Sequence, residues 1–457
     1  MPDVPEPPAP AADEPSFPGS SLSAVSAQGF PPAAGVREPP VRTTRPAPAP
    51  TPGSPAVVWI TQPRPGRIFG VDAARGAALL GMAATHVLPD FDAGGHLTWA
   101  FRIAAGRSAA AFAVLAGVAL ALVTARAAQP RLATLVRALC IGLIGLVLGE
   151  TGTPLALILV YYAVFFLLTL PLLRAPHWVL AVVAVAALAG EPWLSQLLRP
   201  HLAAPITANP TFGALVTTPG RLALTLLLTG YYPALAWVGY LAVGMLVGRL
   251  DLRSARTAGW LIAGGTAAAL TAKALSWLLL GPLGGRAAIL ATDTVLPGVG
   301  PVPPAGAVRL LAAGLYGSTP TQSWWWLAVS SPHATTPLDL AHTTGTAIAL
   351  LGLALLAARL GADGRPGRIL LWPLAAVGSM TLTWYSLHAA LLATDVLPAD
   401  PNRSYVLQVV VALVVASAWR ATRRRGPLEA AVAAAVRVAT RPAAGRGASP
   451  GVANTAG

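Results

Sequence analysis

Residues 155–173 read LALILVYYAVFFLLTLPLL, a run of apolar positions with no charge in it. A helix crosses the hydrocarbon of a bilayer in about 20 residues, whereas a barrel strand needs only about 9–11 of alternating polarity, so this run predicts a spanning helix. Windows of the same kind recur on both sides of it, at roughly 69–88, 103–124, 131–149, 178–197, 231–248, 257–280, 343–360, 369–393 and 404–420. The stretch 213–230 is apolar enough for an eleventh span, or for a re-entrant or interfacial piece leading into Tyr231-Tyr232-Pro233. The expected fold is all-α, a polytopic membrane bundle of about 10–11 transmembrane helices.

Composition supports this reading. Only 11% of the 457 residues are charged and 55% are hydrophobic; a soluble chain carries about 25% charged residues. A soluble multidomain enzyme is excluded, and so is a disulfide-stapled secreted protein, because Cys140 has no partner. The net charge of +14 is almost all arginine, Lys273 being the lysine. Nucleic-acid sites need contiguous basic patches. Here the arginines are scattered between apolar segments, the pattern of helix ends facing the cytoplasm, so no nucleic-acid partner is expected. With the N-terminus inside, the inner connections hold Arg126, Arg131, Arg174, Arg249, Arg253, Arg256, Arg359, Arg365 and Arg368. The outer ones hold mostly acids and histidines, and both termini fall in the cytoplasm.

The domain organisation follows from the same pattern. Residues 1–66 are a Pro/Ala-rich cytoplasmic tail, expected to be disordered and lacking the apolar core of a signal peptide. The transmembrane domain runs over 67–425 and includes a long outer connection at 281–342 with Trp324-Trp325-Trp326 near its end. Those indoles suit either an interfacial belt or a sugar-stacking platform. Residues 426–457 read as a short helix on the inner leaflet followed by disorder. The expected location is the plasma membrane, spanned many times.

Ionisable groups inside spanning helices are costly and mark functional sites by default. The first span carries Asp72 and Arg75, one turn apart and able to pair, and His86 near its outer end. The hairpin that follows, with Asp90, Asp92 and His96, is expected to bring a second imidazole back to the same mouth. An imidazole titrates near neutrality and can take the proton of an attacking hydroxyl or amine. His86 and His96 are the candidate catalytic residues, supported by Asp72, Arg75, Asp90, Asp92, Arg107 and His388. Arg107 must face protein or water and can hold an anion; His388 either lines the same cavity or bonds a neighbouring helix. Glu150 and Glu191, at helix ends, read as solvated carboxylates. No metal is expected, since no regular His pair or His-Glu motif is present.

The opening of the first span also resembles a known family. Arg67-Ile68-Phe69-Gly70-Val71-Asp72-Ala73-Ala74-Arg75-Gly76-Ala77-Ala78-Leu79-Leu80-Gly81-Met82, followed by His86, resembles the R-x-x-G-x-D-x-x-R-G-x-A-L-L-G-M of heparan-α-glucosaminide N-acetyltransferase-like proteins, in the transmembrane acyltransferase superfamily. Further matches to a bacterial, actinobacterial subgroup run over 240–252, Ser331-Pro332-His333, 379–388 and Gly426-Pro427-Leu428-Glu429. The resemblance implies transfer of an acyl group, acetyl in the lysosomal member, from cytosolic acyl-CoA to an amine or hydroxyl on the far side. The acceptor would be an envelope glycan or lipid-linked sugar. In that member a His after the first helix is catalytic and an Asn partners it. By spacing His96 falls within one residue of that His, and His86 falls at the Asn, which leaves open which imidazole is the base and whether the acyl group rests on a histidine. Arg107 falls where the lysosomal enzyme is acidic, which sets the amino-sugar preference aside.

Acyl-CoA is the expected co-substrate, acetyl-CoA by the resemblance. Its anionic nucleotide would lie near Arg126, Arg131, Arg249, Arg253 and Arg256, each of which topology alone also explains. The expected partners are the bilayer and the sugar acceptor, with a homodimer left open. The competing readings are a proton-coupled transporter or exporter and a non-catalytic scaffold. The transporter predicts internal repeats, and the Asp72–His86 pattern does not recur in the second half.

Overall fold

Among the described residues, six helices are long and apolar enough to span a membrane in one piece: Trp99–Thr124, Pro130–Gly149, His177–His201, Ala255–Leu280, Pro337–Ala357 and Pro401–Ala421. Pro219–Thr229 and Ala234–Gly248 form a seventh, broken span bent by 52°, so the ambiguous 213–230 stretch is half of a bent pair. Phe69–Val87 is one unbroken helix of 19 residues that carries Asp72, Arg75 and His86, and the remaining expected spans are short or interrupted: Leu159–Thr169, and Trp372–Gly378 with Thr381–Leu391. The computed structural model describes residues 67–296, 299–361 and 364–441. The disorder expected for 1–66 and for the end of the C-terminal tail lies outside the described residues.

The outer faces of the helices read as lipid contacts. Leu139, Leu143 and Val147 on one helix, and Val406, Val410 and Val414 on another, repeat every fourth residue and are exposed. A helix presents such a set as one stripe, which only a hydrocarbon solvent would leave uncovered. Inside the bundle, backbones approach through small residues, the usual device where lipid removes the hydrophobic drive. A Cβ on Gly117 would strike the Leu241 carbonyl, and one on Gly244 the Val114 carbonyl. The helices Arg107–Thr124 and Ala234–Gly248 therefore cross with backbones touching.

The 281–342 connection is folded. It carries the helices Gly285–Leu290 and Pro304–Ala313, a hairpin pairing Thr294–Leu296 with Gly300–Val302, and a 3-10 turn over Trp324–Ala328. Its small core is Ile289, Leu315, Trp326, Val329 and Ala334. The three tryptophans are not one platform: Trp326 is core, Trp325 packs on Gly285, and Trp324 stacks on Trp193 at 5.7 Å. At the opposite end of the bundle, Pro427–Ala439 is helical as expected, and it packs against Pro130–Gly149 with Val432 buried.

Candidate active site

The first helix carries its polar groups to opposite ends of the bundle. Asp72 and His86 are fourteen positions apart, about 21 Å at 1.5 Å per residue. At the lower end the structure corrects the expected Asp72–Arg75 pair. Asp72 meets Arg67 at 2.9 Å and Arg420 at 3.5 Å. Arg75 instead donates to Thr381 Oγ1 at 2.9 Å and lies over the Phe112 ring. The two acidic and basic groups of one helix are thus used to tie down separate neighbours.

At the upper end Leu88-Pro89 stops the helix, since proline disfavours helical backbone before it. A tight hairpin follows. Asp92 N–H donates to the His96 carbonyl, and Asp92 Oδ1 accepts from the amides of Gly94 and His96 at 2.9 Å each. Gly95, at φ 76°, supplies the left-handed turn. The His96 amide above all, with that of Gly94, holds the Asp92 carboxyl below the usual carboxylate range. Burial pushes the Asp90 carboxyl up, against the pull of Arg309. His96 stands 83% exposed, its ring 3.7 Å from Asp92.

His86 turns inward, away from that hairpin. Its Nδ1 lies 3.1 Å from His388 Nε2, and His388 Nδ1 lies 2.7 Å from Gln408 Oε1. The two rings are inclined by only 19° with centroids 5.4 Å apart. The N···N contact plus two ring radii accounts for that separation, so the rings meet edge to edge. Protons can be placed on this chain. Gln408 Nε2 donates to Ser404 Oγ at 3.2 Å, which turns its Oε1 toward His388. His388 must then donate from Nδ1 and accept at Nε2, and His86 must donate from Nδ1. Nε2 of His86 keeps its lone pair.

His86 borders a small, partly open cavity, lined also by Thr85, Ser108, Tyr232, His333 and Tyr385. His388 and Gln408 lie on the far side, at the polar end of an apolar cavity lined by Leu79, Ala83, Trp384 and Val409. The 281–342 connection reaches the first cavity through Ser331-Pro332-His333. Pro332 sits on Gly106, where a Cβ would come 3.1 Å from its Cα. His333 and Thr335 both adopt positive φ, 54° and 49°, a conformation that is costly for a β-branched residue such as threonine. The surroundings hold it: Leu315 and Gly317 amides donate to the carbonyls of Pro332 and His333 at 2.9 Å each. Below, Thr336 and Asp339 form a reciprocal cap, with Thr335 N–H on Asp339 Oδ2 at 3.0 Å and Asp339 N–H on Thr336 Oγ1 at 3.0 Å. Burial pushes the His333 imidazole down to about 4, so it is neutral.

The other sequence candidates fall elsewhere. Arg107 donates through Nε to His342 at 3.0 Å and also to the Arg102 carbonyl, so its guanidinium is held by protein. Arg249 caps the carbonyls of Ala175 and Leu173. Arg126, Arg131, Arg253 and Arg256 are exposed at the ends of their helices. Glu150 accepts from the Phe212 amide, but Glu191, expected to be solvated, is buried. Among the described residues no group of three or more His, Cys, Asp or Glu side chains is placed to hold a metal. Sequence reasoning missed Gln408, and named Tyr232, Tyr385 and Ser331-Pro332-His333 only within motifs.

The described residues form a multi-pass helical membrane bundle with an imidazole-lined cavity at one end of the first helix. Residues 67–278 match the family model described as heparan-alpha-glucosaminide N-acetyltransferase, catalytic, and the chain is heparan-α-glucosaminide N-acetyltransferase-like. No curated protein and no solved structure matches it. His333, His388 and Gln408 lie beyond the matched segment.

Proposed function

We propose that the chain moves an acetyl group from cytosolic acetyl-CoA to a hydroxyl or amine of an envelope glycan or lipid-linked sugar on the outer face of the plasma membrane, with His86 as the base. The observation that carries this reading is the Gln408–His388–His86 relay. It fixes one tautomer and aims an unprotonated Nε2 at a cavity inside a domain of this family. His86 is preferred to His96 because a base must be held in reach of its proton, and His96 stands in solvent.

The chemistry balances within this cavity. The acceptor oxygen or nitrogen bonds the acyl carbon and its proton passes to His86 Nε2. The carbonyl π pair moves to oxygen. As it returns, the C–S bond breaks and the pair leaves with sulfur, and the thiolate takes the proton back from His86. While His86 is charged, its Nδ1–H on His388 stabilises it, the role an orienting partner plays in a catalytic triad. The exposed Arg126, Arg131, Arg253 and Arg256 are suited to the CoA phosphates, with both termini on the same cytoplasmic side. Asp92 and His96, at the outer mouth, are suited to meeting the sugar.

The test is mass spectrometry of envelope glycans and glycolipids from cells lacking this chain. An acetyl substituent should disappear, return with the wild-type chain, and stay absent with His86→Ala. An unchanged acetylation profile in the deletion strain would overturn the proposal.

A further inference from the structure

His86, at the end of the relay, lines the cavity and supplies a base, but a base does not stabilise the oxygen on which negative charge develops. We propose that His333 and Tyr385 are the donors that bind the acyl carbonyl oxygen and stabilise its oxyanion, an assignment that rests on the acetyl-transfer reading above.

Both side chains line the same cavity as His86. The proton on His333 can be placed by elimination. Its Nδ1 is buried and has no hydrogen-bond partner among the described residues. A buried N–H left orphaned is rarer than an under-satisfied acceptor, so the proton belongs on Nε2, the nitrogen left to face the cavity. Tyr385 reaches the same place by a different route. Its Oη accepts from the Ile158 amide at 3.3 Å, which leaves the phenol proton to be donated. A neutral imidazole donor beside a separate base is a known division of labour, because an uncharged ring polarises a carbonyl without competing for the proton.

The backbone supports a working role for His333. Positive φ at two non-glycine residues within three positions is strain that surroundings must over-determine. Here the Leu315 and Gly317 amides, the Thr336–Asp339 cap and Lys273 Nζ on the Ser330 carbonyl at 2.7 Å all converge on one short loop. A loop that merely closed the bundle would not need its histidine in that conformation. The outer connection, beyond the segment that defines the family, would thus complete the active site.

The experiment uses the full chain in proteoliposomes with acetyl-CoA as donor and glucosamine or methyl glucoside as acceptor, following CoA release. Donors aimed at a developing oxyanion contribute about 100- to 1,000-fold to kcat. His333→Ala and Tyr385→Phe should each lower kcat by about 100-fold with the KM for acetyl-CoA little changed. His333→Gln, which keeps an N–H donor but cannot act as a base, should recover part of the loss. Wild-type kcat in His333→Ala, or a His333→Gln no better than His333→Ala, would overturn the assignment while leaving the acetyltransferase reading intact. Where His333→Ala lowers Tm and aggregates, Tyr385→Phe, which removes a single oxygen, decides alone. A wild-type chain that releases no CoA with either acceptor defeats the reading and this inference together.

Discussion

His86 and His388 hydrogen-bond ring to ring at 3.1 Å across 302 residues of sequence. The bond ties the first helix to Thr381–Leu391, and Gln408 extends it to Pro401–Ala421. A hydrogen bond to a group that becomes charged is worth about 1.5–3 kcal/mol. His388→Ala should therefore lower kcat by about 10- to 100-fold, with little change in KM. Gln408→Leu should do the same more weakly, since it frees the His388 tautomer without removing the ring. Steady-state CoA release checks both. Equal KM increases with unchanged kcat would assign these residues to binding.

The helices were legible because their apolar runs match a bilayer, and the Arg67–Met82 stretch was legible because its pattern is dense. The partnership at the site was not. His86 and His96 are neighbours along the chain, and a hairpin between them suggested one mouth. The turn built by Asp92 and Gly95 sends His96 outward, while helix phase sends His86 inward. The true partner of His86 lies three hundred residues away, on a helix whose own pattern announces only Thr, Tyr, Ser and His. Glu191 failed for a related reason: its place at the end of an apolar run says nothing about which neighbours cover it. The strain at His333 and Thr335 leaves no mark in the sequence, because neither residue type requires positive φ.

The hairpin around Asp92 and His96 should hold to unusually low pH. Asp92 accepts from the His96 and Gly94 amides, and its folded carboxyl titrates below its unfolded value. A group depressed in this way lends stability above its unfolded pKa and loses it as pH falls through the folded one. Amide exchange at Gly94 and His96 should thus stay protected through the ordinary aspartate range and be lost only at more acid pH. Asp92→Ala should abolish protection at neutral pH. Unprotected amides in the wild type at neutral pH would contradict the hairpin geometry.

Two glycines with opposite surroundings give a prediction of opposite sign. A Cβ on Gly244 meets the Val114 carbonyl, a backbone atom that cannot rotate away, whereas Gly264 has nothing within 4 Å. Gly244→Ala forces two helices apart and should cost about 1–3 kcal/mol. Gly264→Ala, in the exposed middle of Ala255–Leu280, should stabilise by about 0.5–1 kcal/mol through helix propensity. Thermal unfolding in detergent should show Tm falling for the first and rising for the second. Equal shifts would mean that the close crossing of Arg107–Thr124 and Ala234–Gly248 is not present in solution.

Besides its packing on Pro130–Gly149, the C-terminal helix is tied to the bundle by the Glu429 carboxylate, whose loss should be felt at the site's support. Glu429 accepts from the Leu382 amide at 2.8 Å, the Thr383 amide at 3.3 Å and Thr383 Oγ1 at 2.6 Å. These amides open the helix that carries His388, so a side chain on Pro427–Ala439 caps a helix from elsewhere in the sequence. Removing a cap costs about 0.5–2 kcal/mol. Glu429→Ala should lower Tm by an amount of that order, and Glu429→Gln, which keeps an oxygen acceptor, should lose less. Trypsin cleavage at Arg423, Arg424 and Arg425, exposed between the two helices, should quicken in Glu429→Ala as the terminal helix lifts away. The same variant should reduce acetyl transfer only to the extent that Thr381–Leu391 frays and His388 withdraws from His86. Full activity together with accelerated cleavage would show that the cap holds the terminal helix and leaves the relay untouched.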